Sequence, residues 1–301
     1  MYSIGRKQDL KVLNKEMGKY ISLFSEEMRQ IMYISVFYDH VLEASRQTGL
    51  PVNTILNKIR TYGIEAVELD MDQLEKPEEM YESLTNAGFR VSNICCMFDF
   101  GQKPDDRKSQ ELVDTAKLLH CDKVMPIPGF LEGESEEENE IVRNNMLKGM
   151  KNLCEYANAH DIRVSIEDFD DSASPIADSA GMLWFLDRIP ELKVTFDTGN
   201  FMYSNEEELH AFRKLSSRII HVHCKDRSLK GLPGEEPKIS IGGAKLYPSP
   251  VGSGCIRMKE ILELLKEMDY KGALTIEHFG SMNQFSYMKE SAGWLSLAGK
   301  Q

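Results

Sequence analysis

Residues 193–226 read KVTFDTGNFMYSNEEELHAFRKLSSRIIHVHCKD, and this stretch decides the fold. Two runs rich in β-branched and aromatic residues, KVTFDTGN (193–200) and IIHVHCKD (219–226), flank EEELHAFRKL (206–215), whose apolar residues recur at helical spacing. A strand, a helix and a second strand in so short a span imply a right-handed parallel βαβ unit. The alternation continues in both directions. Upstream lie IMYISVFY (31–38), IEAVELD (64–70), FRVSNICCMF (89–98), KVMPIPGF (123–130) and IRVSIEDF (162–169); downstream lies ALTIEHFG (273–280). Helical periodicity fills the intervals, as in VNTILNKIRTYG (52–63), ELVDTAKLLH (111–120) and MKEILELLKEM (258–268), and several of these segments end in Gly, Asn or a small polar turn. Eight such units in about 270 residues match a closed (β/α)8 TIM barrel in the α/β class better than an open doubly wound sheet. No GxGxxG follows the first strand, which argues against dinucleotide binding.

The remaining composition sets boundaries. The 301 residues include 36 basic and 48 acidic side chains, and a net charge of -12 disfavours a nucleic-acid partner. No run approaches the roughly 20 apolar residues of a membrane span, and the first twenty residues lack a signal-peptide core, so no membrane partner and a cytoplasmic location are expected. Six cysteines without CxxC spacing read as reduced packing residues. The polar, helix-favouring segment Lys7–Gln30 reads as an appended helix, dividing the chain into an extension (1–30) and a catalytic barrel (31–301). A homo-oligomer paired through outer helices is expected. One interval breaks the rhythm: residues 226–254, DRSLKGLPGEEPKISIGGAKLYPSPVGSG, read as a long loop on the face that carries barrel active sites. Lys225, Arg227, Lys230, Lys238, Lys245 and Arg257 make this region locally basic, and the backbone of 252–254 offers N–H groups to a phosphate.

Carboxylates are costly in strands buried on both faces unless they meet a partner or a metal. Glu167, Asp197, His223 and Glu277 stand near the carboxyl ends of four strands, and in a barrel those ends share one rim. A single strand-end acid is more often a cap or an ion-pair partner, but four in register on successive strands are harder to dismiss. Three carboxylates and an imidazole suit Mn²⁺, Mg²⁺ or Co²⁺ better than a thiolate-type zinc site, with Zn²⁺ still compatible. His221 and Lys225 share the face of His223, with Lys225 nearer the mouth. His40, just past the first strand, is a candidate for the rim. Glu68 and Asp70 alternate onto one face and Asp99 closes the third strand, each a candidate contact for hydroxyls. His278 must point away from Glu277, against a helix, and His120, His160 and His210 read as structural.

The series IEDF, FDTGN, HVHCKD, PVGSG and TIEHF resembles the xylose-isomerase-like TIM barrels, the sugar and sugar-phosphate isomerases and epimerases, a superfamily that also holds inosose dehydratase and endonuclease IV. The resemblance spans about Tyr33–Trp294. It implies that Glu167, Asp197, His223 and Glu277 bind one divalent metal and that Glu167 and Glu277 double as proton-transfer groups. The chain departs from free-sugar 3-epimerases at Asn200, where they tend to carry His, and its D-x-G-N and H-x-K-D forms look closer to pentulose-5-phosphate 3-epimerases. Endonuclease IV needs further His and Asp ligands that the chain lacks. The expectation is therefore a metal-dependent isomerase or 3-epimerase acting on a small sugar or sugar phosphate through an enediolate, with Asn200, Lys225, Arg227, His221, Glu68 and His40 as substrate contacts. The alternatives are a metal-dependent lyase dehydrating a keto-polyol, and a non-catalytic sugar-binding barrel.

Overall fold

The computed structural model describes residues 32–298, so the expected amino-terminal helix lies outside the described residues. Eight parallel strands close a barrel: β1 (Tyr33–Phe37), β2 (Ile64–Asp70), β3 (Arg90–Met97), β4 (Lys123–Ile127), β5 (Arg163–Glu167), β6 (Lys193–Asp197), β7 (Ile219–Cys224) and β11 (Ala273–Ile276), with β11 joining β7 to β1. Every expected strand is present. The outside is covered by α1 (Tyr38–Thr48), α2 (Val52–Arg60), α3 (Pro77–Asn86), α4 (Asp106–Leu118), α5 (Glu136–Asn158), α6 (Ser179–Leu186), α7 (Glu208–Leu215), α8 (Met258–Glu267) and α9 (Gln284–Ala298). Several of their starts are written in the sequence. Ser135 accepts from the Glu138 N–H (3.2 Å) ahead of three glutamates in the first turn of α5, and Asp178 accepts from the Gly181 N–H (2.8 Å) at α6.

The period-2 alternation of strands divides the barrel into two environments. Val36, Ile166, Phe196, Val222 and Ile276 belong to the main apolar core shared with the helices. Phe196 packs against Phe201 and Phe212 with ring centres 5.3 and 5.1 Å apart, so truncating it costs about 3–5 kcal/mol. The residues between them point inward, and they are polar: Ser35, Ser92, Ser165, Thr195, His221 and Thr275 are all buried. They satisfy one another, as in the hydroxyl pairs Ser35–Ser92 (2.7 Å) and Ser165–Thr195 (2.8 Å). Above this polar plug the barrel opens to its carboxyl rim.

The long segment after β7 differs from the expected loop. It carries a three-stranded antiparallel sheet of β8 (Asp226–Ser228), β9 (Lys238–Ile239) and β10 (Lys245–Ser249), in the order β8-β10-β9. The Gly and Pro content masked short strands whose pairing is set by distant partners, Tyr247 opposite Ser228 and Lys245 opposite Ile239. The six cysteines are free, five of them buried and Cys255 exposed. Among the described residues no helix is long and apolar enough to cross a membrane.

Candidate active site and metal centre

Barrel register brings the four rim residues together. Asp197 on β6 is the direct neighbour of His223 on β7, and Glu167 closes β5 beside Thr195. Glu277 follows β11, where Thr275 is level with His223 and the Glu277 N–H donates to the Cys224 carbonyl (3.2 Å). One ligand atom from each of Glu167, Asp197, His223 and Glu277 lies within 4.8 Å of all the others. Oxygen and nitrogen ligands of a common divalent ion, each about 2.0–2.6 Å from it, stand at such separations. The donor set fits as well. Asp197 Oδ2 and Glu277 Oε2 are buried without a hydrogen bond among the described residues, and such lone pairs call for a cation.

Without an ion the same attraction falls to protons. His223 Nδ1 lies 2.5 Å from Glu167 Oε1 and 3.2 Å from Glu277 Oε2. Burial opposes a charge on His223, but Glu167 and Glu68 outweigh it and raise its pKa well above the usual histidine value. Burial, aided by Glu277, raises the carboxyl of Glu167 against the pull of His223. Burial also raises Asp197. At Glu277 burial pushes the same way but is overcome by Lys225 and His223, leaving that carboxyl well below its ordinary range. Crowded carboxylates that share the available cations in this way are the setting a divalent metal relieves.

A second tier fixes these groups. Glu68, fully buried on β2, accepts through Oε2 from His221 Nε2 (2.8 Å) and His223 Nε2 (3.0 Å), and through Oε1 from Asn93 Nδ2 (2.8 Å). With Nε2 turned to this carboxylate, His223 presents Nδ1 to the ligand cluster. Burial would raise Glu68, yet the two histidines dominate and hold it ionised. Asp197 is locked by its own turn: Oδ1 accepts from the N–H groups of Gly199 and Asn200, both at 2.7 Å. That explains the glycine in D-x-G-N, since a Cβ at Gly199 would lie 2.6 Å from the Lys225 carbonyl oxygen.

A cavity of about 550 Å³ opens above the cluster. Glu167 and Glu277 line it; Asp197 and His223 lie beneath the surface. Lys225 reaches across its floor, paired with Glu277, 3.5 Å from Asp197 Oδ2, and donating to Asn200 Oδ1 (2.7 Å). Arg227 Nη2 bonds Asp170 Oδ2 (2.7 Å) and Asn200 Oδ1 (3.2 Å). Phe37, Met125, Phe169 and Phe279 supply apolar wall.

Of the residues expected to contact substrate, Asn200, Lys225 and Arg227 line this cavity, as does Asp70. Glu68 and His221 do not: both are fully buried below His223, because they sit one inward position deeper along their strands. His40 lies in the first turn of α1, not in a loop, where its Nε2 accepts from the His278 N–H (3.0 Å) behind Glu277. His278 stacks on His40 and meets Tyr287 of α9 edge-on. Asp99 accepts from the Gln102 N–H in a turn. The glycine backbone offered to a phosphate is already taken. Asp226 Oδ2 accepts from the N–H groups of Gly252 and Gly254 (both 2.9 Å), while Oδ1 accepts from Arg227 (2.9 Å) and Ile256 (3.1 Å). Asp39, Asp170 and Glu236 also line the cavity and had no sequence signal beyond their charge.

Known proteins share this architecture. Over 95 residues, 29% of the chain, it is 37% identical to inosose dehydratase 2 of Bacillus cereus, and the matched stretch spans 31% of that relative. The structure of the probable 3-DHS dehydratase AsbF from Bacillus anthracis superposes with a TM-score of 0.67 at 20% identity, covering 88% of this chain and 99% of that one. D-allulose 3-epimerase from Methylomonas sp. gives 0.65 at 15% identity, covering 89% and 98%. At these identities the two structures establish likeness of fold. The family model for xylose isomerase-like TIM barrels matches residues 56–297, and the chain belongs to that family.

Proposed function

We propose that this protein is a divalent-metal-dependent enzyme that moves a proton at a carbon beside a carbonyl of a small sugar, as an isomerase or 3-epimerase. The observation that carries this reading is that, of the four clustered residues, only Glu167 and Glu277 line the cavity. They arrive from β5 and from the end of β11, with β6 and β7 between them, so two carboxylates from different sectors of the rim meet whatever occupies the cavity. One removes a proton from the substrate and the other returns one; Lys225, against Glu277, keeps that carboxylate ionised and offers its ammonium to the oxygen on which charge develops. A divalent ion held by Glu167, Asp197, His223 and Glu277 would supply Lewis-acid stabilisation of that charge. A second reading, dehydration of a keto-polyol, uses the same proton removal followed by loss of a hydroxyl, and the inosose dehydratase match favours it.

The test is incubation of candidate ketoses in D₂O with protein loaded with Mn²⁺ or Mg²⁺. Uptake of one solvent deuteron without other mass change supports the isomerase or epimerase reading, and loss of one water supports the second. Exchange that survives in Glu277→Gln, or persists after chelation, overturns both.

A further inference from the structure

We propose that the substrate is an uncharged polyhydroxy carbonyl compound and that the cavity discriminates against phosphate esters. This inference rests on the proton-transfer reading above and narrows its substrate class. A phosphate dianion needs positive charge that neighbouring carboxylates do not already neutralise. Each basic side chain facing the cavity stands beside a carboxylate of the chain: Lys225 beside Glu277 and Asp197, Arg227 beside Asp170, and Lys238, whose Nζ lies 3.8 Å from the same Asp170 carboxylate. The backbone donors of the loop after β7 are closed from within, because Asp226 fills the turn with four N–H bonds. A Cβ at Gly254 would stand 2.2 Å from Asp226 Oδ1, so carboxylate and loop are in direct contact and leave no room between them for an anion.

The field agrees. Seven acidic side chains line the cavity against three basic ones. A divalent ion at the centre would loosen Lys225 from its carboxylates, yet Asp39, Asp70, Asp170 and Glu236 would still face an incoming dianion. The same carboxylates are acceptors for hydroxyl groups. Phe37, Phe169 and Phe279 offer surface to the C–H faces of a sugar.

The experiment uses the full chain loaded with Mn²⁺ and two matched pairs, D-fructose with D-fructose 6-phosphate and D-ribulose with D-ribulose 5-phosphate, together with the cyclic ketone scyllo-inosose. Solvent deuterium uptake gives kcat/KM, and calorimetry gives Kd. The expected result is uptake into at least one neutral ketone, with any phosphate ester at least tenfold poorer by both measures. Asp170→Asn, which removes the negative charge paired with Arg227 and Lys238, should shrink that gap. An ester that equals or exceeds its neutral partner, or a gap unchanged in Asp170→Asn, overturns the inference while leaving proton transfer intact. No uptake and no binding with any of the five compounds would remove the proton-transfer reading and this inference together.

Discussion

Replacing Glu68 with Gln removes one charge from beneath the candidate metal centre and little else. The amide has the shape of the carboxylate, and the site can absorb the exchange: Asn93 Oδ1 has no hydrogen-bond partner among the described residues, so the Asn93 amide can turn over and accept from the new NH₂. The oxygen facing His221 and His223 is kept, but the negative charge that makes His223 a stronger ligand is lost. Loss of such a partner behind a ligating histidine lowers metal affinity by about 10- to 100-fold, or about 1.4–2.7 kcal/mol. The assay is competition between the protein and a fluorescent chelator for Mn²⁺ at pH 7.5. Glu65→Gln serves as the control, since Glu65 lies on the same strand but outside, part-exposed and 3.4 Å from Arg90. A Glu68→Gln protein whose Mn²⁺ affinity stays within threefold of the parent, with unchanged metal-free melting, would refute the argument that Glu68 orients and polarises His223.

Two further outcomes follow from buried polar groups. Asp226→Ala strands four backbone N–H groups in and around the loop after β7; a loss of about 3 kcal/mol is expected, concentrated locally, so hydrogen exchange at residues 251–256 should accelerate far more than exchange in β6. Burial lowers the pKa of His278 to about 4, against 6.5 for a free histidine, so the unfolded chain binds its proton first as pH falls. Stability is therefore full above about pH 6.5 and declines toward pH 4. From pH 7.5 to 5.5 the metal-saturated protein should lose about 1.4 kcal/mol more than its His278→Phe variant in urea melts, and equal losses would contradict the assignment.

The barrel is legible in the sequence because each strand carries its own signal. Runs such as VTFD and HVHC are apolar on one face by local pattern alone, and the helix starts at Ser135 and Asp178 are declared by single residues. The four clustered rim residues are legible for a related reason: an acid or an imidazole at the end of a buried strand is conspicuous wherever its partners lie. Depth is not. Glu68 and Glu277 look alike as strand carboxylates, and only the stagger of neighbouring strands, with shifts of register near Val67 and Val194, decides which reaches the cavity and which lies below it. The three-stranded sheet stays hidden because β9 spans two residues and owes its existence to β10. The glycines of 252–254 do form a nest of donors, but no local pattern reveals that the anion they hold is the chain's own Asp226.

That internal plug also fixes one wall of the cavity. By tying residues 252–256 to the position directly after Lys225, Asp226 welds the root of the three-stranded sheet to the cavity floor. The far turn, where Gly242 and Gly243 join β9 to β10, is held as well: the Ile241 N–H donates to the Tyr203 carbonyl (2.9 Å), and a Cβ at Gly242 would lie 2.6 Å from Asn205 Oδ1. Pinned at both ends, the sheet lends the cavity, through Pro237, Leu246 and Pro248, a wall that keeps its place whatever enters.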